Sequence, residues 1–292
     1  MSKNNKPKAE FNFIKLPRTT LHYVKTGTGS PLIIVPALAS KLDQWLPLAQ
    51  FMGQKFTTYF FELPGHGDST PYPETFETHF VPKTVEAFLN ELEIDRFTLM
   101  GFSFGGLLAL RTLDYLLPRI DQLILLSPAL SKRALLFSTR KQIFLKLLFT
   151  VLRSDRMRHG VVNMLDRERA YNTLTTAISK FANIDKQILL SKNALAFPKS
   201  TLDVLTASFN EVLRLDYDSE NKPFTLPCFY GMSLYDDLLD YEVTLEIVKG
   251  LFSNIHVEPL TLPYHQPPNP FTFEEFNSKF GSFQENMQDY IT

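Results

Sequence analysis

The sequence predicts a doubly wound, mostly parallel α/β sheet that carries a helical insertion. Short apolar runs alternate with longer segments in which apolar residues recur every three to four positions. This alternation occupies both ends of the chain and stops between residues 131 and 222. A stretch of roughly 90 residues is far too long for a connecting loop. We therefore predict a sheet domain of residues 1–130 and 223–292 and a helical cap of residues 131–222.

Each predicted strand is a short apolar run bounded by glycine, proline or polar residues. Runs that are apolar on both faces predict parallel strands at residues 32–35, 57–61, 97–100, 123–126, 228–230 and 255–257. Residues 21–24 predict an antiparallel strand at the edge of the sheet. Helical spacing of apolar residues predicts the intervening helices at residues 44–52, 81–92, 107–117, 241–249 and 273–290.

Composition excludes several classes of protein. The 292-residue chain has 30 basic and 31 acidic residues, and a net charge of −1 argues against a generally basic nucleic-acid-binding protein. The single cysteine, Cys228, excludes an intramolecular disulfide framework and a zinc site built on thiolates, and we expect it to be buried in its strand. Residues 1–8 are polar and basic with no apolar run behind them, which predicts a flexible tail, no secretory signal and a cytoplasmic protein.

The motif Gly101-Phe102-Ser103-Phe104-Gly105 lies between a predicted strand and a predicted helix. In that context Gly-x-Ser-x-Gly predicts a sharp turn that exposes the serine hydroxyl at the carboxyl end of the sheet. The two glycines remove Cβ atoms that would collide in the turn. Ser103 is therefore the candidate nucleophile, and the Phe104 N–H is a candidate oxyanion donor. Phe102 and Phe104 either line a substrate pocket or pack between sheet and helix.

A serine hydroxyl is a weak nucleophile, so it needs a base, and the base needs an orienting acid. The expected chain order for this architecture is serine, acid, histidine. Two histidines, His256 and His265, follow Ser103 in the last part of the predicted sheet. His256 lies inside a strand, whereas His265 lies in a loop at the carboxyl end of the last strand, where ligand-facing residues collect. We therefore predict that His265 is the general base.

The acid is expected in the loop that follows the preceding strand, and that strand is predicted at residues 228–230. Asp236 and Asp237 both qualify by position, and Asp240 is a more distant third candidate. One carboxylate is enough to orient an imidazole, so a neighbouring aspartate is expected to be a loop residue or the N-cap of the following helix. An aspartate-rich capping turn would explain the pair without any catalytic role.

With these motifs, the sequence resembles the α/β-hydrolase superfamily, in its cap-bearing esterase and lipase branch. The resemblance extends from about residue 21 to residue 290. Residues 62–69 and 231–240 look like family landmarks. The family often has the acid followed by a turn residue and two apolar residues, which favours Asp236 over the alternative, Asp237. The resemblance places the catalytic histidine at His265. It also implies that residues 35–38 form the oxyanion loop, with the Leu38 N–H as the second donor.

The chain departs from the family pattern at several positions. Pro36-Ala37 stands where the family usually has His-Gly, and Glu62 stands where it often has aspartate. We expect His66 to be a structural turn residue. The Gly-x-Ser-Trp-Gly-Gly form of proline iminopeptidases is absent, and so is the aspartate nucleophile of dehalogenases and epoxide hydrolases.

The predicted cap is basic, whereas the rest of the chain is acidic. Residues 131–222 contain 16 basic and 9 acidic residues, against 14 and 22 elsewhere. This pattern indicates either an amphipathic helix that meets an anionic membrane, or a cap helix with a solvated basic face and an apolar face over the site. The basic residues interleaved with apolar ones are Lys132, Arg133, Arg140, Lys141, Lys146, Arg153, Arg156 and Arg158.

Together these observations predict a serine hydrolase that cleaves carboxylic esters with apolar, lipid-derived acyl or alcohol groups, without a metal or an organic cofactor. A hydrolase of amides or of carbon–carbon bonds is the alternative among enzymes, because the same triad serves several acyl transfers. A ligand-binding homologue without activity is the alternative of another class. The expected partners are a small-molecule ester and an anionic membrane surface, but no nucleic acid. The sequence leaves the oligomeric state open.

Overall fold

The structure, a computed structural model, describes residues 6–38, 40–138, 199–267 and 269–291, and a few positions between 142 and 176. Within these residues, eight strands form one sheet. The strands are β1 (Ala9–Lys15), β2 (Thr20–Thr26), β3 (Pro31–Val35), β4 (Thr57–Phe61), β5 (Phe97–Phe102), β6 (Ile120–Leu126), β7 (Cys228–Ser233) and β8 (Ile255–Leu260). Their order in the sheet is β1-β2-β4-β3-β5-β6-β7-β8. Strands β3 to β8 run parallel, whereas β2 is antiparallel to both of its neighbours.

Helices cover both faces of the sheet, which confirms the doubly wound α/β prediction. The helices in the described residues are α1 (Leu42–Met52), α2 (Val81–Glu91), α3 (Phe104–Leu116), α4 (Lys199–Val212), α5 (Tyr241–Leu251) and α6 (Phe273–Ile291). Side chains of α1 and α6 share one apolar cluster with the sheet, and those of α2, α3 and α5 share the other. None of these helices is long and apolar enough to cross a lipid bilayer.

The two apolar clusters lie on opposite faces of the sheet, because successive side chains along a strand point to opposite faces. In β3, Ile33 and Val35 pack with α2 and α3, whereas Leu32 and Ile34 pack with α1. All four side chains are buried. A strand buried on both faces must be apolar at every position, which explains the continuous apolar runs in the sequence.

The prediction for the edge of the sheet was wrong in one respect. The strand expected at residues 21–24 is antiparallel, but it is not at the edge, because β1 pairs with β2 on its outer side. The sequence of β1 alternates polar and apolar residues, and its Phe11 and Phe13 are exposed. That pattern lacks the continuous apolar run by which the other strands were predicted.

The predicted cap is described only in part. Its last part contains α4, in agreement with a helical segment, while most of residues 139–198 lie outside the described residues. Of the eight basic positions named above, the structure describes Lys132, Arg133 and Arg156, and all three are exposed. The division into a sheet domain and a cap stays a prediction.

Candidate active site

Ser103 lies on a strained turn between β5 and α3. Its backbone has φ 53° and ψ −122°, a conformation that costs a residue with a side chain about 1–3 kcal/mol. The surrounding glycines permit the turn, because a Cβ on Gly101 would lie 2.3 Å from the Gly105 carbonyl oxygen. A Cβ on Gly105 would lie 2.5 Å from the Val35 carbonyl oxygen. Close packing of α3 against β5 and β3 therefore holds Ser103 in this conformation.

The structure brings the hydroxyl of Ser103, the imidazole of His265 and the carboxylate of Asp236 together. Ser103 Oγ lies 2.7 Å from His265 Nε2, and His265 Nδ1 lies 2.7 Å from Asp236 Oδ2. Because a carboxylate only accepts hydrogen bonds, the neutral imidazole donates from Nδ1 and offers Nε2 to the serine hydroxyl. Ser103 occupies the N-cap position of α3, but its side chain does not cap that helix. The hydroxyl is directed to His265 instead.

The three aspartates after β7 have three different partners. Asp236 Oδ1 accepts hydrogen bonds from the N–H groups of Leu238 and Leu239, at 2.9 and 2.8 Å, and its side chain is fully buried. Asp237 is exposed and accepts from the main-chain N–H of His265 at 2.7 Å. Asp240 is the N-cap of α5 and accepts from the Val243 N–H. Only Asp236 of these three contacts the imidazole ring.

The phenol of Tyr230 lies close enough to Asp236 to be affected by the charge of its carboxylate. Burial raises the pKa of Tyr230, and the negative charge of Asp236 adds to that effect. The phenol therefore stays neutral at physiological pH. Its hydroxyl donates to the sulfur of Met232 at 3.0 Å rather than to the carboxylate. Asp236 thus keeps its contacts with the backbone and with His265.

Phe102 lies beside the imidazole. Its ring stacks on that of His265 with the centroids 5.3 Å apart and the planes inclined by 23°. Trp45, on α1, contacts the Phe102 ring with a centroid distance of 5.1 Å. Phe102, a candidate pocket residue from the sequence, and Trp45 therefore form an aromatic wall next to His265.

The two predicted oxyanion donors lie at the start of α3 and after β3. Phe104 is the first residue of α3, where the N–H has no partner within the helix. Leu38 lies three residues beyond the end of β3, and its side chain is partly buried in the core. Because Gly105 packs against the carbonyl oxygens of Val35 and Pro36, the turn at Ser103 contacts the first residues of the segment that carries Leu38.

Three further residues behave as the sequence indicated. His256 lies in β8, where its ring stacks on Phe229 at 4.7 Å, so it is a packing residue of the strand. Cys228 is fully buried in β7, and burial raises the pKa of its thiol. His66 is buried in the turn after β4.

A second imidazole–carboxylate cluster lies at the carboxyl end of β4, and sequence reasoning missed it. The possible ligand atoms of His22, Glu62 and Asp68 lie within 4.8 Å of one another, the one such group found among the described residues. The Glu62 carboxylate already accepts from the main-chain N–H groups of Leu42 at 3.1 Å and Asp68 at 2.7 Å. These contacts make Glu62 a structural carboxylate that joins β2, α1 and the turn after β4.

Sequence reasoning also missed what Asp237 and Trp45 contact. Asp237 was considered as an alternative acid or as a loop or N-cap residue, and its contact with the backbone of His265 had no signal in the local sequence. Trp45 lies on α1, far from Phe102 along the chain, so no local pattern connects the two residues. Both contacts arise only when separate elements meet at the carboxyl end of the sheet.

Comparison with known proteins agrees with the fold described above. The model of the family described as alpha/beta hydrolase fold matches residues 30–195, which is more than half of the chain. The chain belongs to the alpha/beta hydrolase fold family. This confirms the superfamily resemblance and the fold class that the sequence predicted.

Individual relatives share parts of the sequence or the fold of this chain. An N-formylmaleamate deformylase from Pseudomonas putida is 31% identical over 38% of this chain and 42% of its own length. An (E)-2-((N-methylformamido)methylene)succinate hydrolase from Acinetobacter baylyi is 27% identical over 30% of this chain and 34% of its own length. This chain therefore spans less than half of either relative. A thermophilic esterase from Thermogutta terrifontis has a similar fold, with a TM-score of 0.67, 16% identity and coverage of 97% of this chain and 100% of its own.

Proposed function

We propose that this chain is a serine hydrolase that cleaves carboxylic esters with apolar acyl or alcohol groups. The proposal rests on two consecutive hydrogen bonds, which link Ser103 Oγ to His265 and His265 to the buried Asp236. A hydroxyl, an imidazole and a carboxylate in this order are the parts needed to activate a serine for attack on a carbonyl group.

In the proposed reaction, Ser103 Oγ attacks the carbonyl carbon while His265 Nε2 takes the serine proton. Asp236 holds the imidazole in the tautomer that can accept this proton and stabilises the imidazolium that forms. His265 then gives the proton to the leaving alcohol as the bond between the carbonyl carbon and the alcohol oxygen breaks. A water molecule, deprotonated by the same histidine, hydrolyses the acyl-enzyme and restores Ser103.

The negative charge on the carbonyl oxygen needs donors that are in place before the reaction. We assign this role to the N–H groups of Phe104 and Leu38. The first belongs to the N-terminus of α3, where the helix dipole also favours a negative charge. The loss of one such donor typically costs a hydrolase about 100- to 1,000-fold in kcat.

A hydrolase of amides is a second candidate within the same site. The name of the Pseudomonas putida relative, N-formylmaleamate deformylase, designates removal of a formyl group from nitrogen. The same three residues would catalyse amide hydrolysis, with His265 giving its proton to the leaving nitrogen. Hydrolysis of a carbon–carbon bond is the third candidate reaction. It requires protonation of a carbon leaving group.

The other predictions made from the sequence stay proposals. Contact with an anionic membrane is proposed for the basic segment that contains Lys132, Arg133 and Arg156, and sedimentation with anionic against zwitterionic liposomes tests it. Equal binding to both would make the basic surface a solvated face only. The ligand-binding homologue without activity and the cytoplasmic location likewise stay predictions.

Labelling with a fluorophosphonate, followed by a substrate panel, tests the proposed function. We expect one covalent adduct on Ser103 and no adduct in the Ser103→Ala variant. The panel pairs aryl esters of increasing acyl length with the corresponding anilides and with a vinylogous 1,5-diketone. Faster turnover of esters supports the proposal, whereas faster turnover of anilides or of the diketone replaces the ester assignment. Absence of both adduct and turnover would favour the ligand-binding homologue.

A further inference from the structure

The exposed aspartate beside the proposed acid contacts the same histidine at a different atom. Asp237 Oδ1 accepts from the main-chain N–H of His265 at 2.7 Å, and Asp236 Oδ2 lies 2.7 Å from Nδ1 of its ring. Adjacent carboxylates thus hold one residue at its backbone and at its side chain. Asp237 thus contacts the backbone of His265, whereas Asp236 contacts its ring.

The loop that carries His265 is joined to the loop that carries both aspartates. The Leu234 N–H donates to the Leu260 carbonyl at 2.9 Å, where β8 ends. The Ser233 hydroxyl donates to the Leu262 carbonyl. Asp237 fixes the chain three residues further on, at His265 itself. The contact therefore lies at the position where movement of the backbone would most directly move the imidazole.

We infer that Asp237 is a positioning residue for the reaction, which rests on the proposed function. Its oxygen holds the backbone of His265 so that Nε2 stays 2.7 Å from Ser103 Oγ. A base must lie within hydrogen-bond reach of the proton that it takes, and a misplacement of about 1 Å can cost about 100-fold in rate. The required property is an acceptor oxygen at this position rather than a negative charge.

Two substitutions at Asp237 separate the acceptor from the charge. Asp237→Ala removes the acceptor, and we expect kcat to fall about 10- to 30-fold while KM changes less than about twofold. Asp237→Asn keeps an oxygen in the same place, so we expect kcat within about threefold of the parent. Glu242→Gln is the control for charge, because Glu242 is an exposed carboxylate in the first turn of α5. We expect no change in that variant.

A spectroscopic measurement tests the inference without turnover. In protein labelled with 15N-histidine, the Nδ1 proton of His265 should give a downfield resonance in the parent, in Asp237→Asn and in Glu242→Gln. The resonance should broaden or disappear in Asp237→Ala, although the melting temperature changes by only a few degrees. These results would support a positioning role, since a merely structural residue would lower the melting temperature and leave the resonance in place.

Two outcomes would overturn the inference. One is an Asp237→Ala variant that keeps both the kcat and the Nδ1 resonance of the parent. The other is an Asp237→Asn variant that is as slow as Asp237→Ala, which would make the charge the required property. If the parent neither reacts with a fluorophosphonate nor cleaves a substrate, the proposed function fails, and the resonance alone then decides whether Asp237 positions the ring.

Discussion

Two imidazole–carboxylate pairs lie at the carboxyl end of the same sheet, and they differ in what surrounds them. Asp236 lies 2.7 Å from Nδ1 of His265, and Glu62 lies 3.0 Å from Nδ1 of His22. Both carboxylates are buried, and both accept hydrogen bonds from backbone N–H groups. Chemically the two pairs are almost equivalent.

The difference is the environment of the imidazole. His265 has Nε2 directed at a serine hydroxyl on a strained turn. His22 lies within β2, and its ring stacks on Phe13 of β1 with the centroids 4.6 Å apart. An imidazole–carboxylate pair therefore supports nucleophilic chemistry only where the far nitrogen meets a hydroxyl that can attack. The pair at His22 joins segments of the fold instead.

The largest effect is expected from the hydroxyl itself. Ser103→Ala should lower kcat/KM for aryl esters by about 100,000-fold or more, because the remaining residues have no nucleophile to activate. Steady-state kinetics of the purified variant measures this. Ser69→Ala is the matched control, because Ser69 lies beside the second imidazole–carboxylate pair. Its hydroxyl donates to the main-chain carbonyl oxygen of Glu62. Retained activity in Ser103→Ala would remove the assigned nucleophile.

The next largest effect is expected at the acid. Asp236→Asn should lower kcat by about 10,000-fold, because an amide nitrogen facing Nδ1 favours the wrong imidazole tautomer. The measurement is kcat at saturating ester, compared with Asp237→Asn. If Asp237→Asn were crippling while Asp236→Asn were mild, the alternative acid would be the true one.

A smaller effect is expected from Phe102, whose ring stacks on the imidazole of His265. Phe102→Leu should lower kcat about 3- to 10-fold, because an aromatic contact contributes about 0.5–1.5 kcal/mol to holding its partner. Phe13→Leu is the matched control, since it removes the ring stacked on His22. Stopped-flow acylation rates would compare the two variants. Equal rates for both would mean that Phe102 does not position His265.

The smallest effect on activity is expected at Glu62. Glu62→Gln should leave kcat within about threefold of the parent but destabilise the fold by about 1–3 kcal/mol, because an amide cannot accept on both atoms. Thermal denaturation measures the loss of stability, and kinetics well below the melting temperature measure activity. A loss of kcat above about 100-fold in the folded variant would contradict the distinction between the two pairs.

Much of the molecule could be predicted from local patterns. The continuous apolar runs indicated the buried parallel strands, and the glycines around Ser103 indicated a sharp turn at a strand end. Local pattern did not reveal β1, because its alternation of polar and exposed aromatic residues resembles that of a loop or an edge. It also could not choose between Asp236 and Asp237, which occupy adjacent positions in one loop.

The choice between the two aspartates is made by three-dimensional contacts. The N–H groups of Leu238 and Leu239 bind Asp236 Oδ1 and fix its carboxylate in the interior, facing the imidazole. Asp237 is left at the surface, where it reaches the backbone of His265. Side-chain direction in a turn depends on such closing hydrogen bonds, which a list of residues does not contain.

The sequence by itself determined the fold class, the position of the sharp turn at Ser103 and the histidine in the loop after the last strand. These follow from short-range properties, namely the period of apolar residues and the steric demands of glycine. Only the tertiary structure decided which carboxylate meets His265, which ring covers it, and that His22 and Glu62 form a second pair. Those contacts join residues far apart in the chain, and they exist only after the strands have been brought into register.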